Sequence, residues 1–84
     1  MNVEFDEHAF EDLRYWVNVD VKKAKRILTL IEEVRRTPFT GTGKPEPLKY
    51  QLSKCWSRRI DSCHRLVYTV TDQTLRVLAC RYHY

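Results

Sequence analysis

The sequence predicts an α+β fold: a small antiparallel sheet with two N-terminal helices packed on one face. Three observations carry that reading. An apolar period of about 3.6 residues runs from residue 6 to Pro38. The stretch 38–49 then holds both glycines and all three prolines of the chain. Beyond it, apolar and polar residues alternate. Helices first and strands after, without regular alternation, is the α+β order. With 84 residues, the chain reads as a single domain over 1–84, since domains rarely split below about 150 residues.

Asn2–Phe5 alternates polar and apolar residues and reads as a short strand. Asp6 is placed to N-cap a helix running to about residue 17, with Phe10, Leu13, Trp16 and Val17 on its buried face. Asp20 is placed to cap a second helix, whose apolar positions are Val21, Ala24, Ile27, Leu28, Ile31 and Val34. Arg35 and Arg36 suit the negative end of its dipole. Pro38 ends it by steering Thr37 out of the helical region. Residues 38–49 form a loop, stiff where Pro45 and Pro47 flank Glu46. Residues 56–60, 64–70 and 74–82 read as strands, with turns at 61–63 and 71–73. Two helices cover one face, so the other is at least partly open.

Charge is distributed unevenly. Lys and Arg number 15 against 11 Asp and Glu, a formal net charge of +4. Residues 1–20 hold six acids and one base, whereas residues 21–84 hold 14 bases and five acids. An excess of nine positive charges over residues 21–84 favours a polyanionic partner. A composition 43% hydrophobic and 31% charged suits a folded chain rather than a disordered one. No apolar run approaches the roughly 18 residues of a membrane span, and the acidic N-terminus lacks the apolar core of a signal peptide. Cys55, Cys63 and Cys80 show no metal-site spacing and read as reduced thiols, which points to the cytoplasm.

Arg58, Arg59, Arg65, Arg76 and Arg81 fall in or beside the predicted strands, accompanied by Tyr50, Trp56, Tyr68, Tyr82 and Tyr84. Guanidinium groups match phosphate and aromatic rings stack on bases, so an open face of this composition reads as an RNA surface. The plainer reading is solvated edge charge and core aromatics.

Two places look chemical. Glu46 sits between two prolines and near Lys44 and Lys49, whose charge favours a carboxylate available as a base. The more common role for such a residue is a solvated loop acid. The C-terminus, Cys80-Arg81-Tyr82-His83-Tyr84, places His83 beside the terminal carboxylate, which favours an imidazolium able to act as a general acid; a surface histidine is the plainer reading. Together, Glu46, the arginines and His83 supply what metal-free RNA cleavage needs. A base takes the 2′-hydroxyl proton, cations neutralise the phosphate, and an acid protonates the departing 5′ oxygen. The sequence offers no carboxylate cluster for a metal and calls for no cofactor.

Across nearly the whole chain, the motifs Arg35-Arg36-Thr37-Pro38-Phe39, Gly41-Thr42-Gly43-Lys44-Pro45-Glu46-Pro47-Leu48-Lys49, Leu52-Ser53, Trp56-Ser57-Arg58-Arg59-Ile60, His64-Arg65-Leu66-Val67-Tyr68 and Cys80-Arg81-Tyr82-His83-Tyr84 stand together. The combination resembles the YoeB/Txe toxins of the RelE-type bacterial toxin–antitoxin systems. That resemblance implies a fold similar to microbial ribonucleases. It also implies an endoribonuclease that cuts mRNA in the A site of the 70S ribosome and halts translation. It places the general base on Glu46, the general acid on His83 and the phosphate-stabilising cation on Arg65. Lys49, Arg59 and Tyr84 fall on positions that support the phosphate or orient the nucleotide. The implied partner is a YefM-like antitoxin, inhibitor and co-repressor at once, and a homodimer is known in the family. Tyr50, Lys54, Cys55 and Cys63 depart from the familiar pattern, so codon preference does not carry over. The alternative is a non-catalytic RNA- or ribosome-binding module using the same arginines and aromatics.

Overall fold

The computed structural model describes residues 1–48 and 54–82. The chain runs β1 (Asn2–Phe5), α1 (Glu7–Val19), α2 (Val21–Arg36), β2 (Glu46–Pro47), β3 (Trp56–Arg59), β4 (Arg65–Val70) and β5 (Thr74–Ala79). Among the described residues, the strands form one sheet in the order β1-β5-β4-β3-β2. Strands β2 to β5 are an antiparallel meander, as the alternation predicts. Strand β1 instead lies parallel to β5, with Val3 opposite Leu75, so the sheet is mixed rather than wholly antiparallel. Parallel neighbours need a long crossover, and here two helices and the rest of the meander separate the pair.

The helices cover one face, and α1 turns inward only part of the predicted stripe: Trp16 is buried and Leu13 packs against the core. Ala9, Asp12 and Trp16 are buried, whereas Phe10 and Val17 are about half exposed, at 52% and 55%. Asp12 belongs to the buried stripe, so an apolar period alone does not trace all of it. In α2 the buried set is Ala24, Ile27, Leu30, Ile31 and Val34, with Val21 and Leu28 outside it. Asp20 caps α2 as expected, accepting from the Lys22 N–H at 3.2 Å. Asp6 makes no side-chain cap bond among the described residues; its Oδ1 accepts from Arg76 Nη2 at 2.6 Å. No described helix is long and apolar enough to cross a membrane.

The main core joins Trp16, Ile27, Leu30 and Val34 from the helices to Leu66, Tyr68, Leu75 and Val77 from the sheet. A smaller cluster of Cys55, Val67 and Ala79, with Leu48 and Leu78 against it, occupies the opposite face. Val67 pairs with Ala79 and Tyr68 with Val77, so Leu78 is an extra residue, a bulge in β5. The predicted last strand therefore stops at Ala79 instead of residue 82. Strand β2 falls within the stretch that the sequence reads as loop. Its Pro47 is tolerated because β2 is the sheet edge.

The turn after β3 is fastened to α2. Lys23 Nζ lies 2.9 Å from Asp61 Oδ2, and Asp61 Oδ1 accepts from the Cys63 and His64 N–H groups at 2.7 Å each. Burial alone would raise the Asp61 carboxyl, but these hydrogen bonds outweigh it and bring it down from 3.8 to about 2. A carboxyl lowered by folding adds stability above its unfolded value and loses it as pH falls through the folded value. Urea unfolding of the wild type should therefore show stability falling between about pH 4 and pH 2. Asp61→Asn should be less stable at pH 7 and lack that component; an identical slope in both proteins would refute the role of this carboxyl.

Candidate active site

The register of β2, β3 and β4 builds the site. Glu46 pairs with Ser57, which pairs with Val67, and Arg65 stands two residues before Val67 on the same face. That face is the one away from the helices. Arg65 Nη1 donates to Glu46 Oε1 at 2.9 Å and lies 3.3 Å from Ser57 Oγ. The Arg65 side chain is 20% exposed and that of Glu46 56%, so the acid is open to an incoming group while the cation is braced from below. Arg59 is directly opposite Arg65 on β3 and exposed. Like charges facing each other across a ladder are unfavourable; the Glu46 carboxylate offsets this for Arg65, and a phosphate bound there would take over that role. Glu46, Arg65 and Arg59, three of the residues predicted from sequence, are thus brought together.

The short β2 is held at both ends. The Arg59 N–H donates to the Gly43 carbonyl at 2.7 Å and the Leu48 N–H to the Cys55 carbonyl at 2.8 Å. Below it lies Arg58, which is fully buried. The sequence reads Arg58, Trp56 and Tyr68 onto the open RNA face; all three lie on the helix side, since alternation along β3 sends Arg58 the same way as Trp56, which packs against the main core with Tyr68. Arg58 donates to the carbonyls of Thr37, Thr40 and Thr42 and to the Tyr68 hydroxyl, which itself donates to the Pro38 carbonyl at 2.7 Å. Glu33 completes the set, 3.4 Å from Arg58 and accepting from the Thr42 N–H at 2.7 Å. That N–H, with the Arg58 charge, holds the Glu33 carboxyl below its ordinary value despite partial desolvation. Gly41 has φ +116°, and a Cβ there would run into the Glu33 carboxylate. The loop leading to Glu46 is therefore wrapped around one buried guanidinium.

Of the remaining predicted cations, Arg76 is exposed but paired with Asp6 near the β1 edge. Arg81 is not on the open face: its guanidinium carbon lies 3.4 Å above the Tyr15 ring of α1 and 4.7 Å from that of Tyr82. The basic face is smaller than the sequence suggested. Lys49, Tyr50, His83 and Tyr84 lie outside the described residues.

The chain before His83 is anchored. Beyond β5, the Cys80 N–H donates to Asp12 Oδ2 at 3.0 Å and its carbonyl accepts from Trp16 Nε1 at 2.8 Å. Burial, with the Asp12 charge, pushes the Cys80 thiol up to about 12. At Tyr82 the N–H donates to His64 Nδ1 at 2.6 Å, and the carbonyl accepts from the Arg65 N–H at 2.8 Å. The residue whose side chain holds Glu46 thus holds the C-terminal segment through its backbone. Sequence reasoning gave no role to Asp12, Ser57 or His64. An acid at i+3 from Ala9 and i−4 from Trp16 was the available signal for Asp12. Among the described residues, no three His, Cys, Asp or Glu side chains are grouped to hold a metal.

A family model described as the YoeB-like toxin of bacterial type II toxin–antitoxin systems matches residues 5–84. Toxin YoeB of Escherichia coli strain K12 is 54% identical over 84 residues, covering 100% of both chains. The YoeB dimer from Staphylococcus aureus superposes with a TM-score of 0.94 at 44% identity, covering 100% of this chain and 98% of that one. A heterotetrameric YoeB–YefM toxin–antitoxin complex from the same organism gives a TM-score of 0.91 at 44% identity, with the same coverage.

Proposed function

The chain belongs to the YoeB-like toxins of bacterial type II toxin–antitoxin systems, and from that premise we propose that it is a ribosome-dependent mRNA endoribonuclease acting in the ribosomal A site. The observation that carries this reading is the 2.9 Å contact between Arg65 and Glu46 on an open sheet face. It sets a proton acceptor and a phosphate-binding cation within one nucleotide's reach of each other.

Glu46 takes the proton of a 2′-hydroxyl, and the oxygen attacks the adjacent phosphate in line. Arg65 releases Glu46 and neutralises the non-bridging oxygens, joined by Arg59 and Lys49. His83 protonates the leaving 5′ oxygen, and Tyr84 orients the nucleotide. The products are a 2′,3′-cyclic phosphate and a 5′-hydroxyl end. Anchoring of Tyr82 beside Arg65 supports the roles given to the two residues that follow it. No cofactor enters this scheme.

The partners proposed are mRNA, the 70S ribosome and a YefM-like antitoxin that covers the site and acts as co-repressor, all in the cytoplasm. A second copy of the chain is a further partner. Phe10, Val17, Val21 and Leu28 leave apolar side chains exposed on the helices, surface that protein partners would cover. Primer extension on a defined message translated with and without the protein tests the proposal. New 5′ ends inside the A-site codon are expected. Stalled ribosomes without new ends would leave the non-catalytic binding module as the better account.

A further inference from the structure

We propose that His64 is a positioning residue for the C-terminal residues: its Nδ1 accepts the Tyr82 N–H and fixes the left-handed turn from which the chain continues into His83 and Tyr84. This inference rests on the endoribonuclease reading for its effect on rate, although the contact itself does not.

Strand β5 ends at Ala79, and the backbone groups of Cys80 and Tyr82 are satisfied by other means. Cys80 has both of them bound by α1 side chains, Asp12 on the N–H and Trp16 on the carbonyl. Tyr82 has both bound by the start of β4, His64 Nδ1 on the N–H and the Arg65 N–H on the carbonyl. Tyr82 has φ +65°. That conformation is unfavourable for a non-glycine residue and persists where surrounding contacts over-determine it.

His64 is itself held in place. Its N–H donates to Asp61 Oδ1 at 2.7 Å, and its carbonyl accepts from the Ile60 N–H at 2.9 Å. The Trp16 ring meets its imidazole nearly edge-on, at 4.7 Å and 81°. The Tyr82 ring lies 5.6 Å away on a tilt. A rigid ring so constrained delivers one lone pair to one amide. To accept there, Nδ1 must carry no proton, so the ring hydrogen belongs on Nε2.

The geometry distinguishes two conservative replacements. The side-chain oxygen of Asn lies as many bonds from Cα as Nδ1 does, so it reaches the Tyr82 amide. The acceptor of Gln lies one bond further, at the place of Nε2.

The full-length protein should be assayed for cleavage on programmed ribosomes. His64→Ala and His64→Gln are expected to lose about 100-fold in kcat, the scale of a slightly misplaced catalytic group. His64→Asn keeps the acceptor but not the ring, and should stay within about fivefold of wild type, well above His64→Gln. Nitrogen-15 NMR should show the wild-type ring protonated at Nε2, with the Tyr82 amide proton shifted downfield. That shift should persist in His64→Asn and be lost in His64→Gln. A ring protonated at Nδ1, or equal activity of the Asn and Gln variants, would overturn the proposal. Should the wild-type protein stall programmed ribosomes without new 5′ ends, the endoribonuclease reading fails, and the tautomer and the Tyr82 shift still decide the contact.

Discussion

Glu46→Gln is expected to lower ribosome-dependent cleavage by about 10²- to 10⁴-fold, the range a positioned general base contributes, while leaving the melting curve nearly unchanged. The two halves of that expectation have different grounds. Gln keeps the shape of Glu and an oxygen for Arg65 but has no basic lone pair to take a 2′-hydroxyl proton. Stability is spared because the side chain is 56% exposed and its ion pair lies at the surface, where such pairs contribute little. The backbone of β2 is held by Gly43 and Leu48, not by the Glu46 side chain. Arg65 also retains Ser57 as a partner. Melting by circular dichroism and single-turnover cleavage on the same preparation separate the two effects. A folded Glu46→Gln protein that cleaves at the wild-type rate would remove Glu46 from the reaction. One that melts far below wild type would show that β2 depends on the carboxylate for its structure.

The sequence made some of this legible and left some hidden, for identifiable reasons. The second helix and the three-strand meander were readable because each buries one face, and burial of one face imposes a period. The partner of β1 was not readable, since alternation along a strand says nothing about which edge it joins. Strand β2 is too short to show any period, and its prolines argued for loop. Arg58 was misplaced although its signal was present. In Trp56-Ser57-Arg58-Arg59-Ile60, alternation puts Arg58 with Trp56 and Ile60, so two adjacent arginines had to face opposite ways. Treating them as one basic patch lost that information. The contacts at Tyr82 were beyond reach, because they join residues 18 apart through a backbone amide and a ring nitrogen.

Arg58→Met is expected to be the most damaging single substitution away from the reacting groups, costing about 3–5 kcal/mol, the range for removing one partner of a buried ion pair. Met preserves length and apolar stem but supplies none of the donors. The three carbonyls that Arg58 serves would lose their side-chain donor at once. The Tyr68 hydroxyl keeps its bond to Pro38, and Glu33 keeps the Thr42 N–H but loses its neighbouring cation. The carbonyls of Thr37, Thr40 and Thr42 can regain partners only if the loop opens to water, and opening frees the segment that enters β2 at Glu46. Damage should therefore appear twice: as a lower urea midpoint, and as faster hydrogen exchange at the Thr42 amide than global unfolding explains. Arg58→Lys should rescue little, since one ammonium cannot reach carbonyls spread over Thr37 to Thr42 and also donate to Tyr68. Adding Glu33→Gln to Arg58→Met should cost less than the two single effects together, because the second change removes the charge that the first leaves unpaired. Strict additivity, or a loss below about 1 kcal/mol for Arg58→Met alone, would mean that the loop is held by its glycines and backbone bonds, not by the buried guanidinium.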